Sequence, residues 1–343
     1  MKWGIIVDKI VVTGATSMIG TALIKACLSR GVQVVALVRK GTRRLDRLPE
    51  SDLVSVVYCG LDEMRDFVPE TSDADVFYHF AWAGTSKSGG RYDPEAQEPN
   101  VRYTLDAVRL ARRFGCHRFV GAGTQAEYGL SDAPLTKDTP IRPYMAYGVA
   151  KYAGGRLAEM LCDSLGMEFV WGRILSVYGP HDNENTLLRY IIESLLDGKS
   201  PELTPGRQIW DYLYEDDAGE AFFALGASEK ACGAYCVGSG DGRPLRSFVE
   251  EIERVVHSTV PVQYGARPYG KNQVMYLQAD ISPLTHDTGW TPQVPFEEGI
   301  WNMIAAINVY RGGDIYPSII YGILALPGWQ GYIGQADEYE ACG

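Results

Sequence analysis

Ile10-Val11-Val12-Thr13-Gly14-Ala15-Thr16-Ser17-Met18-Ile19-Gly20 decides how this chain is read. It is a short apolar strand, a tight glycine turn and the first turn of a helix. A strand that enters a helix through glycines leaves several backbone N–H groups aimed at one spot. The positive end of the helix lies at the same spot, so the arrangement suits a diphosphate. A second apolar run, Gln33 to Val38, follows at the distance that a crossover helix from Met18 to Arg30 requires. Strand, glycine turn, helix and strand make a βαβ unit.

Composition narrows the classes around that unit. The chain has 343 residues, 46% hydrophobic and 22% charged, which suits a globular protein with a large core. A formal net charge of −11 argues against a nucleic-acid partner, because phosphate backbones need a basic field. Seven cysteines stand singly, without metal-ligand spacing, so no metal is expected. With no secretory signal, reduced thiols in a cytoplasm are expected. The longest apolar stretch near the C-terminus, Ile315 to Pro327, is too short to span a bilayer, so no membrane partner is expected.

The second strand ends in Arg39-Lys40-Gly41-Thr42-Arg43-Arg44. A carboxylate there would bind the adenosine ribose of NAD. A guanidinium instead pairs with a 2′-phosphate, so NADP(H) is preferred and NAD(H) remains possible. Val54 to Tyr58 reads as a third strand. Val76 to Ala81 reads as a fourth, running into Trp82-Ala83-Gly84, small residues that let a cofactor approach the backbone. His79 reads as a packed strand residue rather than a catalyst. Thr85 to Pro99 reads as a loop, and Asn100 as the start of a helix from Val101 to Phe114. Arg118 to Gly123 reads as a fifth strand ending in Thr124.

Tyr147 and Lys151 follow, four apart on one helix face. An ammonium beside a phenol stabilises the phenolate and makes the tyrosine a usable proton donor. Tyr-x-x-x-Lys alone also occurs on ordinary surface helices.

Taken in order, these motifs resemble an extended short-chain dehydrogenase/reductase, in the group of NAD(P)-dependent sugar epimerases and dehydratases. The matching residues are Thr13 to Gly20, His79-Phe80-Ala81, Asn100, Thr124 with Glu127-Tyr128-Gly129, and Tyr147 to Lys151. They continue through Gly172-Arg173, Val177 to Pro180, Trp210 to Tyr214, Asp216-Asp217-Ala218, Gly238 and Gly289 to Pro292. The resemblance implies Tyr147 as general acid or base and Lys151 as the group that holds the nicotinamide ribose and lowers the tyrosine's pKa. Thr124 would hydrogen-bond the reacting sugar oxygen. The cofactor would lie on Gly14, Thr16, Ser17, Met18, Ile19 and Gly20, on Arg39, Leu61, Ala81, Trp82 and Ala83, and on Tyr147 and Lys151. The implied substrate is a nucleoside-diphosphate sugar, and the implied assembly a homodimer through the helices that begin near Val101 and Tyr147.

The departures from the pattern carry as much information. Ser17 stands where the group often has glycine; its side chain either crowds the pyrophosphate or bonds to it. Gln125 and Ala126 stand where 4,6-dehydratases carry an Asp-Glu pair, and neither can do that proton work. Glu127, one place on, is expected to face elsewhere. Ser176 and Trp210 replace an asparagine and a phosphate-binding arginine, with Arg207 and Arg267 as the cations that could compensate. Trp210 either stacks on a nucleobase or packs in the core. Substrate contacts are therefore expected from Thr124, Gln125, Ser176, Arg207, Trp210 and Arg267.

The expected fold is α/β, a Rossmann-type, doubly wound and mainly parallel sheet with a smaller C-terminal substrate-binding lobe. The dinucleotide domain spans 1–175 and the lobe, interleaved with the sheet, 176–310. Within the lobe, Leu187 to Leu196, Ala218 to Ala227 and Phe296 to Ile307 read as helices; Ile209 to Tyr214, Gly233 to Val237 and Val274 to Ala279 read as strands. Residues 311–343, with Trp329 and breaks at Pro317 and Pro327-Gly328, form an extension that covers the site, joins a dimer interface or packs as an appendage. The expected activity is reduction of a 4-keto nucleotide sugar. The alternatives are a nucleotide-sugar 4-epimerase with retained NAD and a non-catalytic dinucleotide sensor.

Overall fold

The computed structural model describes residues 4–85 and 90–311. The first half runs β1 (Lys9–Thr13), α1 (Met18–Leu28), β2 (Gln33–Val38), β3 (Val54–Tyr58), β4 (Val76–His79), α2 (Pro94–Arg113), β5 (Arg118–Thr124), α3 (Ala146–Leu165) and β6 (Glu168–Ile174). The second half runs β7 (Val177–Tyr178), α4 (Leu187–Leu196), β8 (Glu202–Leu203), β9 (Ile209–Trp210), β10 (Leu213–Tyr214), α5 (Glu215–Ala227) and β11 (Gly233–Val237). It ends with β12 (Arg243–Pro244), α6 (Leu245–Val256), β13 (Gln263–Tyr264), α7 (Ser282–Thr288) and α8 (Phe296–Tyr310).

Seven strands form one parallel sheet in the order β11-β6-β5-β4-β1-β2-β3. Helices cover both faces, which is why the central strands read as unbroken apolar runs. Side chains alternate between two cores. Ile10, Val12, Val76, Tyr78, Val120 and Val170 pack with α1 and α5. Val11, Phe77, Phe119, Phe169 and Trp171 face α2 and α3. Phe77, Phe119 and Phe169 form a ladder across three strands, with ring centroids 5.8 and 6.4 Å apart. A third core joins α4, α6 and α8 through Ile191, Ile192, Val249, Ile252, Ile300 and Ile304.

Several expectations change. The helix expected over Met18 to Arg30 stops at Leu28, and the fourth strand stops at His79. The loop expected over Thr85 to Pro99 gives way to α2 at Pro94, so Asn100 lies inside a helix rather than starting one. Asp93 caps that helix by accepting from the Glu95 amide, and Pro94 takes the first position, where its missing N–H costs nothing. Ile209 to Tyr214 is not one strand. It breaks into β9, paired with β12, and β10, paired with β7. Asp211 sits at the break, fully buried, and accepts from the Ser239, Gly240 and Ala279 amides and the Ser239 hydroxyl. Val274 to Ala279 contributes only isolated bridges. Gly233 to Val237 is a strand of the main sheet, beside β6. The extension expected over 311–343 lies, apart from Arg311, outside the described residues.

Candidate active site

The sheet order reverses between β1 and β4, and the carboxyl ends of these two strands open a crevice. Thr13 closes its floor. Its hydroxyl accepts from the Phe80 and Ala81 amides and lies 2.9 Å from His79 Nδ1. Burial holds His79 down to about 3, so the ring is neutral and serves the crevice as a brace.

The glycine turn is shaped by close approach. Gly14 adopts φ +68°, and a Cβ there would stand 2.8 Å from the Ala81 nitrogen. A Cβ on Gly20 would stand 2.3 Å from the Gly14 carbonyl oxygen. Ser17 turns its hydroxyl to its own helix, accepting from the Gly20 amide at 3.1 Å as N-cap. That leaves the Met18 and Ile19 amides without an acceptor inside the helix. A helix end with open amides, met by a backbone approach that only glycine allows, fits a dinucleotide's pyrophosphate. Ala81, Trp82 and Ala83 form the opposite lip. The buried Asn100 holds Ala83 from both sides, accepting from its amide at 2.8 Å and donating to its carbonyl at 3.2 Å. Gln97 accepts from the Trp82 indole N–H at 2.9 Å and donates to the Gly84 and Gly90 carbonyls. Arg39 is exposed at the end of β2, and Leu61 is half-buried against the α2/α3 core.

Thr124, Tyr147 and Lys151 come together where β5 ends and α3 begins. Thr124 caps a short helical turn over Gln125–Glu127. Tyr147 is 9% exposed, with its amide bonded to the Arg91 carbonyl at 2.9 Å. Burial pushes its phenol up, while the Arg91 guanidinium and a hydrogen bond with Thr124 pull it down. Lys151 donates to the Ala122 carbonyl at 2.6 Å and lies 4.0 Å above the Trp82 ring. Burial holds its ammonium down to about 7. The cation over the Tyr147 ring is thus Arg91, with its guanidinium carbon 4.9 Å from the centroid. Neither Arg91 nor Gln97 announces itself in the sequence, because both lie in or beside a stretch that reads as polar loop.

Glu127 does face elsewhere. Fully buried, it accepts from the Thr124 amide, the Trp171 indole and Arg173 Nε, the last at 2.7 Å. Trp210 is half-buried beside Tyr212 and donates its indole N–H to Ser176 Oγ at 3.0 Å, so the two replaced positions are bonded to each other. Arg207 and Arg267 are both exposed on the lobe; Arg267 pairs with Glu202 at 3.5 Å.

Open helix-end amides at a sheet switch point, beside a threonine, a buried tyrosine and a lysine, are the groups that a dinucleotide-dependent enzyme would use. The chain belongs to the NAD dependent epimerase/dehydratase family, whose profile matches residues 10–238. It is 26% identical over 306 residues to CDP-abequose synthase of Salmonella typhimurium, covering 87% of this chain and 97% of the relative. Its fold matches UDP-N-acetylglucosamine 4-epimerase from Methanobrevibacter ruminantium, solved with UDP-N-acetylmuramic acid, with TM-score 0.79 and 21% identity over 88% of this chain and 99% of that one. It also matches UDP-glucuronic acid 4-epimerase from Bacillus cereus, solved with NAD, with TM-score 0.75 and 20% identity over 88% of this chain and 99% of that one.

Proposed function

We propose that this enzyme is an NAD(P)-dependent oxidoreductase of a nucleoside-diphosphate sugar, and that its reaction is reduction of a 4-keto sugar. The observation that carries the proposal is the buried Tyr147 on the first turn of α3 beside Thr124 at the carboxyl end of the sheet, with Gln125 and Ala126 next in the chain where a dehydration would need an acid and a base. The dinucleotide, when bound, supplies hydride. Tyr147 gives its hydroxyl proton to the emerging sugar oxygen, and Thr124 donates a hydrogen bond to the same atom. Lys151 holds the cofactor ribose. Ser176 and Trp210 line the lobe side as one bonded pair, and the exposed Arg207 and Arg267 supply charge for the diphosphate.

Incubation with NADPH and a 4-keto nucleotide sugar should consume the two in equal amounts. Tightly retained NAD with no net turnover would instead mark the second reading, a 4-epimerase, which the two epimerase folds named above favour. A protein that binds dinucleotide but turns nothing over would be the sensor.

NADPH is the proposed reductant because Arg39 stands exposed where the ribose 2′-position is read. Arg39→Ser should raise KM for NADPH roughly tenfold, the equivalent of about 1.4 kcal/mol, and leave KM for NADH nearly unchanged. Equal effects on both cofactors would refute the assignment.

A homodimer is proposed through α2 and α3. Val149, Leu157 and Met160 are 52%, 42% and 63% exposed on α3, a large apolar face to leave in water. Sedimentation should give a dimer, and Leu157→Glu with Met160→Glu a monomer. The reducing cytoplasm is the proposed compartment, since five of the six described cysteines are buried thiols. Among the described residues no helix is long and apolar enough to cross a membrane.

A further inference from the structure

We infer that Arg91 is a further positioning residue of this site, the permanent cation that lies over the Tyr147 ring and stabilises the ionised phenol. The inference rests on Tyr147 being the proton carrier proposed above. Three independent features seat Arg91 there. Its guanidinium carbon is 4.9 Å from the ring centroid. Its own carbonyl accepts the Tyr147 amide at 2.9 Å, which ties the segment before α2 to the first turn of α3. Its Nε is buried and has no hydrogen-bond partner among the described residues, so no structural bond among them occupies that atom.

The other groups around Tyr147 leave this role open. Trp82 meets the ring edge-on at 6.2 Å and carries no charge. Thr124 offers a neutral hydroxyl. Glu127, in the turn after β5, opposes ionisation, but Arg173 faces it at 2.7 Å and blunts its field. Lys151, one turn along α3, aims its ammonium at the Ala122 carbonyl and the Trp82 ring, and its burial favours the neutral amine. A guanidinium stays charged throughout the working pH range. A phenolate spreads its charge into the ring, so a cation over the ring face stabilises it even without touching the oxygen.

The test uses no sugar and no dinucleotide. A difluorotyrosine installed at position 147 ionises near neutral pH, and its fluorine resonances report that one phenol. Replacing Arg91 by Met should raise the titration midpoint by about one pH unit, and Arg91→Lys should bring it back. An unmoved midpoint in Arg91→Met overturns the inference. So does a shift that Arg91→Lys fails to reverse, which would reduce Arg91 to packing. A moved and rescued midpoint in a protein that turns over no nucleotide sugar would keep the role of Arg91 and remove the reductase reading alone.

Discussion

Tyr147→Phe should lower kcat by about a hundredfold to ten-thousandfold while dinucleotide binding and thermal midpoint stay close to those of the unaltered protein. The substitution removes one oxygen from a side chain that is only 9% exposed. Its ring contacts with Trp82 and Arg91 persist. What disappears is the phenol proton beside Thr124 at the end of β5. Hydride delivery to a ketone leaves an alkoxide, and without the phenol that charge must be relieved by water or by the weaker Thr124 donor. Because phenylalanine keeps the shape, KM should change little. A variant with undiminished turnover would refute both the reductase and the epimerase, since each needs this proton.

The second large effect concerns stability. Arg173→Met should destabilise the fold by about 3–5 kcal/mol, because it leaves the Glu127 carboxylate buried without its countercharge. Glu127 is fully buried, and Arg173 is 6% exposed. Arg173 also donates to the Tyr128 hydroxyl at 2.9 Å, which in turn lies 3.3 Å from Cys236 Sγ on β11. Adding Glu127→Gln to Arg173→Met should recover much of the loss, since the amide keeps an acceptor for the Thr124 N–H without an unpaired charge. Denaturant unfolding of the two single variants and the double variant measures the coupling. A double variant whose loss equals the sum of the two single losses would show that the pair is not coupled.

What could be read from residue order alone divides along physical lines. β1, β2 and β5 stood out because strands buried on both faces need apolar runs, β3 stood out through Val54, Val56 and Val57 although it is a half-exposed edge strand, and Gly14 and Gly20 marked the turn between β1 and α1. The start of α2 stayed hidden because Pro94 and Pro99 look like breakers, although Pro94 fits the first turn of the helix and Pro99 is carried in its interior. β9 and β10 merged in the sequence because Trp210, Tyr212 and Tyr214 alternate as strand residues do; the break comes from Asp211, whose four partners lie far along the chain. At the site, Tyr147 and Lys151 were legible as a spacing, and Thr124 through its motif. The placement of Lys151 against Ala122 and Trp82, and of Arg91 over the phenol, depends on tertiary packing that no local pattern encodes.

The neighbour of β6 on the outer side of the sheet is β11, which the chain supplies only after α4 and α5 have been made. On the ribosome, the half-built sheet must therefore wait with a row of open amides and carbonyls along β6. Val170 on that strand, with Val120 and Tyr78 behind it, faces the side that α5 later covers, so the waiting sheet is both sticky and apolar. A shortened product ending near residue 175 would carry the glycine turn, Tyr147 and Lys151 in full and still be prone to aggregate. Expression of the N-terminal part alone should accordingly succeed only when the cut falls beyond Val237.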